Sequence, residues 1–109
     1  MINWNRVREL EQDVGAEVIG EIVELFLEEV EGVIELLRAG NRGGSLAEDM
    51  HFLKGSALSL GFDRFGSMCG EGERLAANGQ SDSVPVSAIL AAYDVSKVEF
   101  LARMPPGSP

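Results

Sequence analysis

The only histidine of the chain stands close to a lysine and a glycine. Lys54 follows His51 by three residues and Gly55 follows it by four, so on a helix both would neighbour the imidazole ring. A neutral imidazole nitrogen can attack a phosphoryl group, and a nearby lysine can hold the phosphoryl oxygens. A glycine in mid-helix costs about 1 kcal/mol relative to alanine, which is most easily explained if another molecule must approach over that turn. These residue types and spacings indicate phosphoryl chemistry at an intermolecular contact.

Apolar periodicity predicts that His51 lies on a helix and outside its buried face. The stripe recurs at steps of three and four residues and consists of Leu46, Met50, Leu53, Ala57 and Leu60. At about 100° per residue, His51 falls well to the side of this stripe, with Lys54 nearer to it. We therefore expect an exposed imidazole. Ser45 and Glu48 have the spacing of a capping box, although Asn41 would start the helix a turn earlier, and Gly61 should end it.

The remaining segments predict further helices and a bundle that positions His51. A long helix over about residues 16–39 has an apolar stripe made of Ile19, Ile22, Phe26, Val30, Val33 and Leu37. Its opposite face is acidic, and Gly40 suits a left-handed cap. Another helix should begin with Asp63 as its N-cap and stop near Asn78, placing Phe65, Met68, Cys69, Leu75 and Ala76 on its inner side.

A polar turn over residues 80–83 precedes a final helix over about residues 84–103, with Ile89, Tyr93 and Phe100 facing inward. A short N-terminal helix should be capped by Asn3 and end near Gly15. The fold class is therefore all-α: an antiparallel up-down four-helix bundle with a short N-terminal helix across one end. Residues 1–104 form this domain, and we expect the Pro-rich tail, residues 105–109, to be disordered.

Composition limits the classes of function. The chain has 109 residues and a mass of 11.7 kDa, which is one domain and leaves no room for an ATP-binding kinase domain. A formal charge of −9 disfavours nucleic acid and anionic membranes as partners. The N-terminal residues lack the pattern of a signal peptide, and Cys69 is the only cysteine, so we expect a cytoplasmic protein.

The segment around the histidine resembles a known family. Residues 51–61 read His-Phe-Leu-Lys-Gly-Ser-Ala-Leu-Ser-Leu-Gly. They are similar to the signature of histidine-containing phosphotransfer (Hpt) domains, His-x-Leu-Lys-Gly-Ser/Ala-Ser/Ala followed by Leu-Gly. Flanking features that agree are Leu10, Gly15, the stretch 26–29, and Cys69 with Glu73. The family fold is a four-helix bundle that exposes its phosphoacceptor histidine on the second bundle helix.

The resemblance implies a phosphocarrier of a multistep His-Asp phosphorelay in two-component signalling. His51 would be the phosphoacceptor and Lys54 the cation that stabilises the phosphoryl group, while Gly55 would leave space for the partner. Ser56 would assist by hydrogen bonding. The partners would be response-regulator receiver domains and a hybrid histidine kinase. Such a protein is no enzyme and needs no cofactor, because the receiver supplies the Mg²⁺ and the catalysis; it can work as a monomer.

The same sequence is compatible with other interpretations. The chain departs from the family by the acidic residues Glu48 and Asp49 before His51 and by Gly72, where a larger apolar residue is common. Phe52 either forms part of the docking patch or packs against the N-terminal helix. The alternative function is a helical adaptor that binds a partner without phosphorylation. A variant of the phosphocarrier function is a docking decoy or phosphate sink.

Two further sites are not expected. Glu48 and His51 match one Glu-x-x-His motif of di-iron bundles, but a second copy is required and the chain has no other histidine. Cys69 falls on the inner side of its helix, which favours an inert core thiol over a nucleophile.

Overall fold

The helices of the chain form the predicted bundle. In the computed structural model, which describes residues 2–40 and 45–103, five α-helices and one short 3₁₀ helix follow one another. The α-helices are α1 (Trp4–Val14), α2 (Ile19–Arg38), α3 (Leu46–Leu60), α4 (Asp63–Ala77) and α5 (Val86–Arg103), and the 3₁₀ helix covers Ser81–Ser83. No strand occurs in these ranges; Ile2 and Phe62 form one isolated bridge. The all-α fold class is confirmed. Asn41 and the tail lie outside the described residues.

Local capping explains where the helix that carries His51 begins and ends. Ser45 accepts a hydrogen bond from the Glu48 backbone, and the Glu48 side chain accepts one from the Ser45 backbone, so the predicted capping box is present. Gly61 ends α3 in the left-handed region at φ 87°, a conformation that favours glycine. His51 is therefore held in the second turn of a helix with well-defined ends.

Three helix boundaries differ from the prediction. Asp63 is the first residue of α4 and Phe62 is its N-cap, because the chain turns directly from Gly61 into the helix. The helix α2 begins at Ile19 rather than near residue 16, and α5 begins at Val86, after Pro85. The short helix α1 is capped by Asn3, as predicted, and its C-cap is Gly15.

The buried face of α2 matches the predicted stripe at three of its six residues. The buried residues are Ile19, Val23, Leu27, Val30, Ile34 and Leu37. Ile22, Phe26 and Val33 are only partly buried; Phe26 and Val33 pack at the edge of the core. Both sets of positions are apolar at helical spacing, so the packing of α2 on its neighbours decides which one is buried.

Glycines allow α4 to pack closely against α3. A Cβ added at Gly66 would lie 2.9 Å from Leu58 Cδ2, and one added at Gly72 would lie 2.9 Å from Met50 Sδ. Because these glycines weaken the isolated helix, α4 depends on tertiary packing for its stability. Phe65 and Cys69 are buried as predicted, whereas Met68, Leu75 and Ala76 are only partly buried.

The N-terminal segment fixes the junction between α3 and α4. The Asn3 backbone N–H donates to the Gly61 carbonyl at 2.7 Å, and Arg6 Nε donates to the Ser59 carbonyl at 3.0 Å. Trp4 stacks on Phe100 of α5 with ring centroids 5.7 Å apart. The helix α1 thus closes this end of the bundle. Ile89, Tyr93 and Phe100 face the core, as predicted.

Candidate functional site

The imidazole of His51 is exposed on the outer face of α3, as the apolar stripe predicted. Its side chain is 70% exposed. One turn further along, a Cβ added at Gly55 would have no atom within 4 Å, so the space over this residue is open. The packing of this chain therefore does not require a glycine there, and the approach of another molecule over Gly55 stays a prediction.

A carboxylate on α4 joins His51 to Lys54. Glu73 Oε2 lies 2.8 Å from His51 Nδ1, and Glu73 Oε1 lies 2.7 Å from Lys54 Nζ. The three side chains form one hydrogen-bonded cluster across the junction of α3 and α4. Only His51 is strongly exposed; the side chains of Lys54 and Glu73 are 34% and 26% exposed.

The charge of Glu73 determines which nitrogen of a neutral His51 ring carries the proton. The hydrogen bond from Lys54 lowers the pKa of Glu73 most, and the contact with His51 lowers it further, against the effect of desolvation. Glu73 is therefore a carboxylate at neutral pH and can only accept hydrogen bonds. In a neutral ring, Nδ1 must then carry the proton and donate it to Glu73, which leaves the lone pair on Nε2.

Another glycine of α4 makes room for the lysine. A Cβ added at Gly70 would lie 3.2 Å from Lys54 Cδ, which is tighter than ordinary van der Waals contact. The aliphatic stem of Lys54 thus lies over Gly70, and its ammonium group reaches Glu73 one turn further along α4. The glycines of α4 serve both the packing of the helices and the placement of this side chain.

The other predicted site residues lie near His51 but outside the cluster. Phe52 is 37% exposed, and its place in a docking patch stays a prediction. Ser56 is half-buried and lines a small cavity between α2 and α3 with Phe26 and Leu60. Within the described residues its hydroxyl makes no hydrogen bond to His51 or Lys54, and its role stays a prediction.

Reasoning from the residues alone missed the role of Glu73. It stands 22 positions after His51, on another helix. The only signal in the sequence was that Glu73, like Cys69, agrees with the family pattern. That resemblance did not indicate which residues Glu73 contacts. Only the register of α4 against α3 shows that its carboxylate meets both functional side chains.

Glu48 and Cys69, the residues of the two sites not expected from the sequence, have defined surroundings in the fold. Glu48 is used in the capping box, and residues 2–40 and 45–103 contain no cluster of three or more side chains able to hold a metal ion. Cys69 is fully buried, and burial raises the pKa of its thiol to about 12, so it stays protonated and unreactive at neutral pH.

Among the helices of residues 2–40 and 45–103, none has the length and apolar character needed to span a membrane.

Comparison with known proteins agrees with the geometry. The family model described as "Hpt domain" matches residues 21–100, which include α3, α4 and most of α2 and α5. No curated protein and no solved structure gave a match. An exposed histidine on the second bundle helix, a lysine one turn later and a match over most of the chain lead to one conclusion: the protein belongs to the Hpt domain family, whose members carry phosphoryl groups in His-Asp phosphorelays.

Proposed function

We propose that this chain is a phosphocarrier that accepts a phosphoryl group from a receiver-domain aspartate onto His51 and passes it to another receiver. The observation that carries the proposal is the cluster in which Glu73 binds His51 Nδ1 and Lys54 Nζ beside the open turn at Gly55. In the proposed relay the chain works in the cytoplasm, with response-regulator receivers and a hybrid histidine kinase as partners.

The transfer step needs only the lone pair of Nε2 from this chain. Nε2 attacks the phosphorus of the aspartyl phosphate, an N–P bond forms, and the P–O bond to the aspartate breaks with its electrons returning to the carboxylate. The proton on Nδ1 stays in place, so no general base is required. Positive charge develops on the ring as the N–P bond forms, and the Glu73 carboxylate 2.8 Å away stabilises it. Donation to a second receiver is the reverse reaction.

Lys54 assists at the phosphoryl oxygens. Its ammonium group is a mobile point charge on a flexible stem, one turn from His51 and on the side of α4. When a phosphoryl group reaches Nε2, Lys54 can turn from Glu73 toward the phosphoryl oxygens. The Mg²⁺ ion that receiver chemistry uses would be supplied by the receiver, whose own acidic pocket holds it.

Docking of the receiver requires an unobstructed surface of α3 beside His51. Gly55 presents no side chain there, and Phe52 supplies an exposed apolar surface next to His51. Apolar residues at the rim of an exposed site commonly contribute to protein interfaces. We assign Gly55 and Phe52 to this docking surface, and Ser56, half-buried on the same helix, to its edge.

The experiment is transfer of label from radiolabelled phospho-receivers to the purified chain, run beside His51→Gln. Acid-labile, base-stable label on the wild type and none on the variant supports the proposal. If no receiver labels the wild type while circular dichroism shows an intact fold, the adaptor alternative replaces it. An adaptor would tolerate His51→Gln and lose partner binding with Phe52→Ser.

A further inference from the structure

The outer face of α5 carries a second apolar stripe that the bundle does not use. The stripe repeats at steps of three and four residues and consists of Ala88, Ala91, Val95, Val98 and Ala102, all of them exposed. Val95 and Val98 are 68% and 72% exposed, the highest values among the large apolar residues of the described chain. At about 100° per residue, this stripe lies opposite the buried Tyr93 and Phe100.

The stripe borders a groove between α4 and α5. The groove has a volume of about 420 Å³, and Arg64, Met68, Ala92 and Glu99 are among the residues that line it. Ser96 also lines it and is 1% exposed. Spacing of three and four residues is the seam pattern of paired helices, and alanines in the seam let two helix axes approach closely.

Charge indicates which partner fits this face. The whole chain has a formal charge of −9, so two copies repel each other over most of their surfaces. The helix α5 has two acidic residues, Asp94 and Glu99, and two basic residues, Lys97 and Arg103, and therefore no net charge. Arg64 adds a positive charge at the edge of the groove. This is a face on which two copies of an acidic chain can meet without accumulating negative charge.

We propose that a second copy of this chain docks on the outer face of α5, so that two α5 helices pair about a two-fold axis. In heptad terms Asp94 takes a g position and Glu99 an e position, and a parallel pair would bring these two like charges together. An antiparallel pair avoids that contact and places Val95 against Val98 of the second copy, twice. The two-fold symmetry is that of an isologous dimer.

The paired copies keep their histidines free. The helix α3 packs against α2 and α4, and α5 packs against α4. Arg38 of α2 pairs with Asp94 of α5 at 2.9 Å, which places α5 diagonally across the bundle from α3. His51 therefore faces away from the proposed interface. The proposed pairing differs from the monomer expected from the sequence, but each transfer event still involves one copy and one receiver.

The test is the mass in solution of the full chain over a concentration series, by sedimentation equilibrium. One helix pair buries less than the ~800 Å² per partner of a standard interface, so we expect a reversible dimer. The mean mass of the wild type should rise from 11.7 kDa toward twice that value. Val98→Lys and, separately, Val95→Ser should stay monomeric, while Leu25→Lys, which alters a 56% exposed residue of α2, should associate as the wild type does.

A constant wild-type mass of one chain up to millimolar concentration would overturn the proposal. So would association of Val98→Lys equal to that of the wild type, with circular dichroism confirming the fold. Phosphotransfer to the monomeric variants should match that to the wild type at low concentration. The mass measurement can therefore contradict the dimer without contradicting the proposed phosphotransfer, and the reverse also holds.

Discussion

Lys54 Nζ lies 2.7 Å from Glu73 Oε1, so the cation beside His51 is already paired in the absence of a phosphoryl group. The same carboxylate accepts from His51 Nδ1 through its other oxygen. Glu73 therefore has two effects: it selects Nε2 as the nitrogen with the free lone pair in a neutral ring, and it binds Lys54 and His51 through the same carboxylate.

Replacing Glu73 by glutamine should slow phosphorylation of His51. The amide oxygen can still accept from Nδ1, but the negative charge that stabilises the developing positive ring is lost, which we expect to cost about tenfold in rate. The measurement is the single-turnover rate of transfer from a phospho-receiver. Glu71→Gln is the matched control, because Glu71 lies on the same helix and pairs with Arg74 instead. Equal rates for the two variants would remove Glu73 from the mechanism.

Lys54→Ala should slow transfer by about tenfold, since a charge-assisted contact to the phosphoryl oxygens is lost. The lifetime of the phosphohistidine should also shorten. The control is Lys97→Ala, which removes the other lysine of the chain, one of nearly equal exposure that pairs with Glu31. A Lys54→Ala variant with wild-type rate and lifetime would show that Lys54 serves only to hold Glu73.

Gly55→Gln should leave the fold intact and block the receiver. No atom lies within 4 Å of an added Cβ, and removing the glycine should stabilise the helix by up to about 1 kcal/mol. Transfer should fall sharply, because the new side chain occupies the space over His51. Gly32→Gln is the matched control, since Gly32 is also helical with open space around it. Wild-type transfer in Gly55→Gln would contradict the steric role of Gly55.

Stability should fall in acid in part through Glu31. Burial raises the pKa of Glu31, but hydrogen bonds from Lys97 and Tyr93 outweigh it, so the net pKa is below its ordinary value of 4.5. A carboxyl whose pKa is lower in the folded state stabilises the fold above the unfolded pKa, and this stabilisation is lost as the pH falls through the folded pKa.

Tyr93→Phe tests this linkage, because Tyr93 donates to Glu31 Oε2 at 2.7 Å. We expect a loss of about 1 kcal/mol in the free energy of unfolding at neutral pH, measured by urea denaturation. The variant should also lose less stability than the wild type between pH 7 and pH 3, since its Glu31 is less strongly perturbed. Parallel pH profiles would show that the hydroxyl contributes nothing to the ionisation of Glu31.

The helices and the exposure of His51 were predictable because each signal lies within one segment. The stripe of α3, the capping box at Ser45 and the end of the helix at Gly61 are local features that the structure confirms. The buried face of α2 was predicted wrongly in part, since Val23 and Ile22 are both apolar and neighbouring positions. Only packing against other helices distinguishes them.

The contact between Glu73 and His51 could not be predicted from the sequence of either helix alone. It depends on the rotation and register of α4 against α3, and these depend on how closely glycines such as Gly66 let the helices approach. A sequence shows that a glycine is present but not which side chain it faces. The residues of the outer stripe of α5 can be read from the sequence. No prediction was made from them, because the inward residues Ile89, Tyr93 and Phe100 were enough to predict the helix.

The most direct test of the account is the position of the phosphoryl group on the imidazole. After transfer from a phospho-receiver, phosphorus and nitrogen NMR of the chain labelled with ¹⁵N identify the substituted ring nitrogen. Because Glu73 holds the proton on Nδ1, we predict a single phosphohistidine with the phosphoryl group on Nε2 of His51. Substitution on Nδ1, or a phosphorylated wild type whose imidazole is unmodified, would contradict the account.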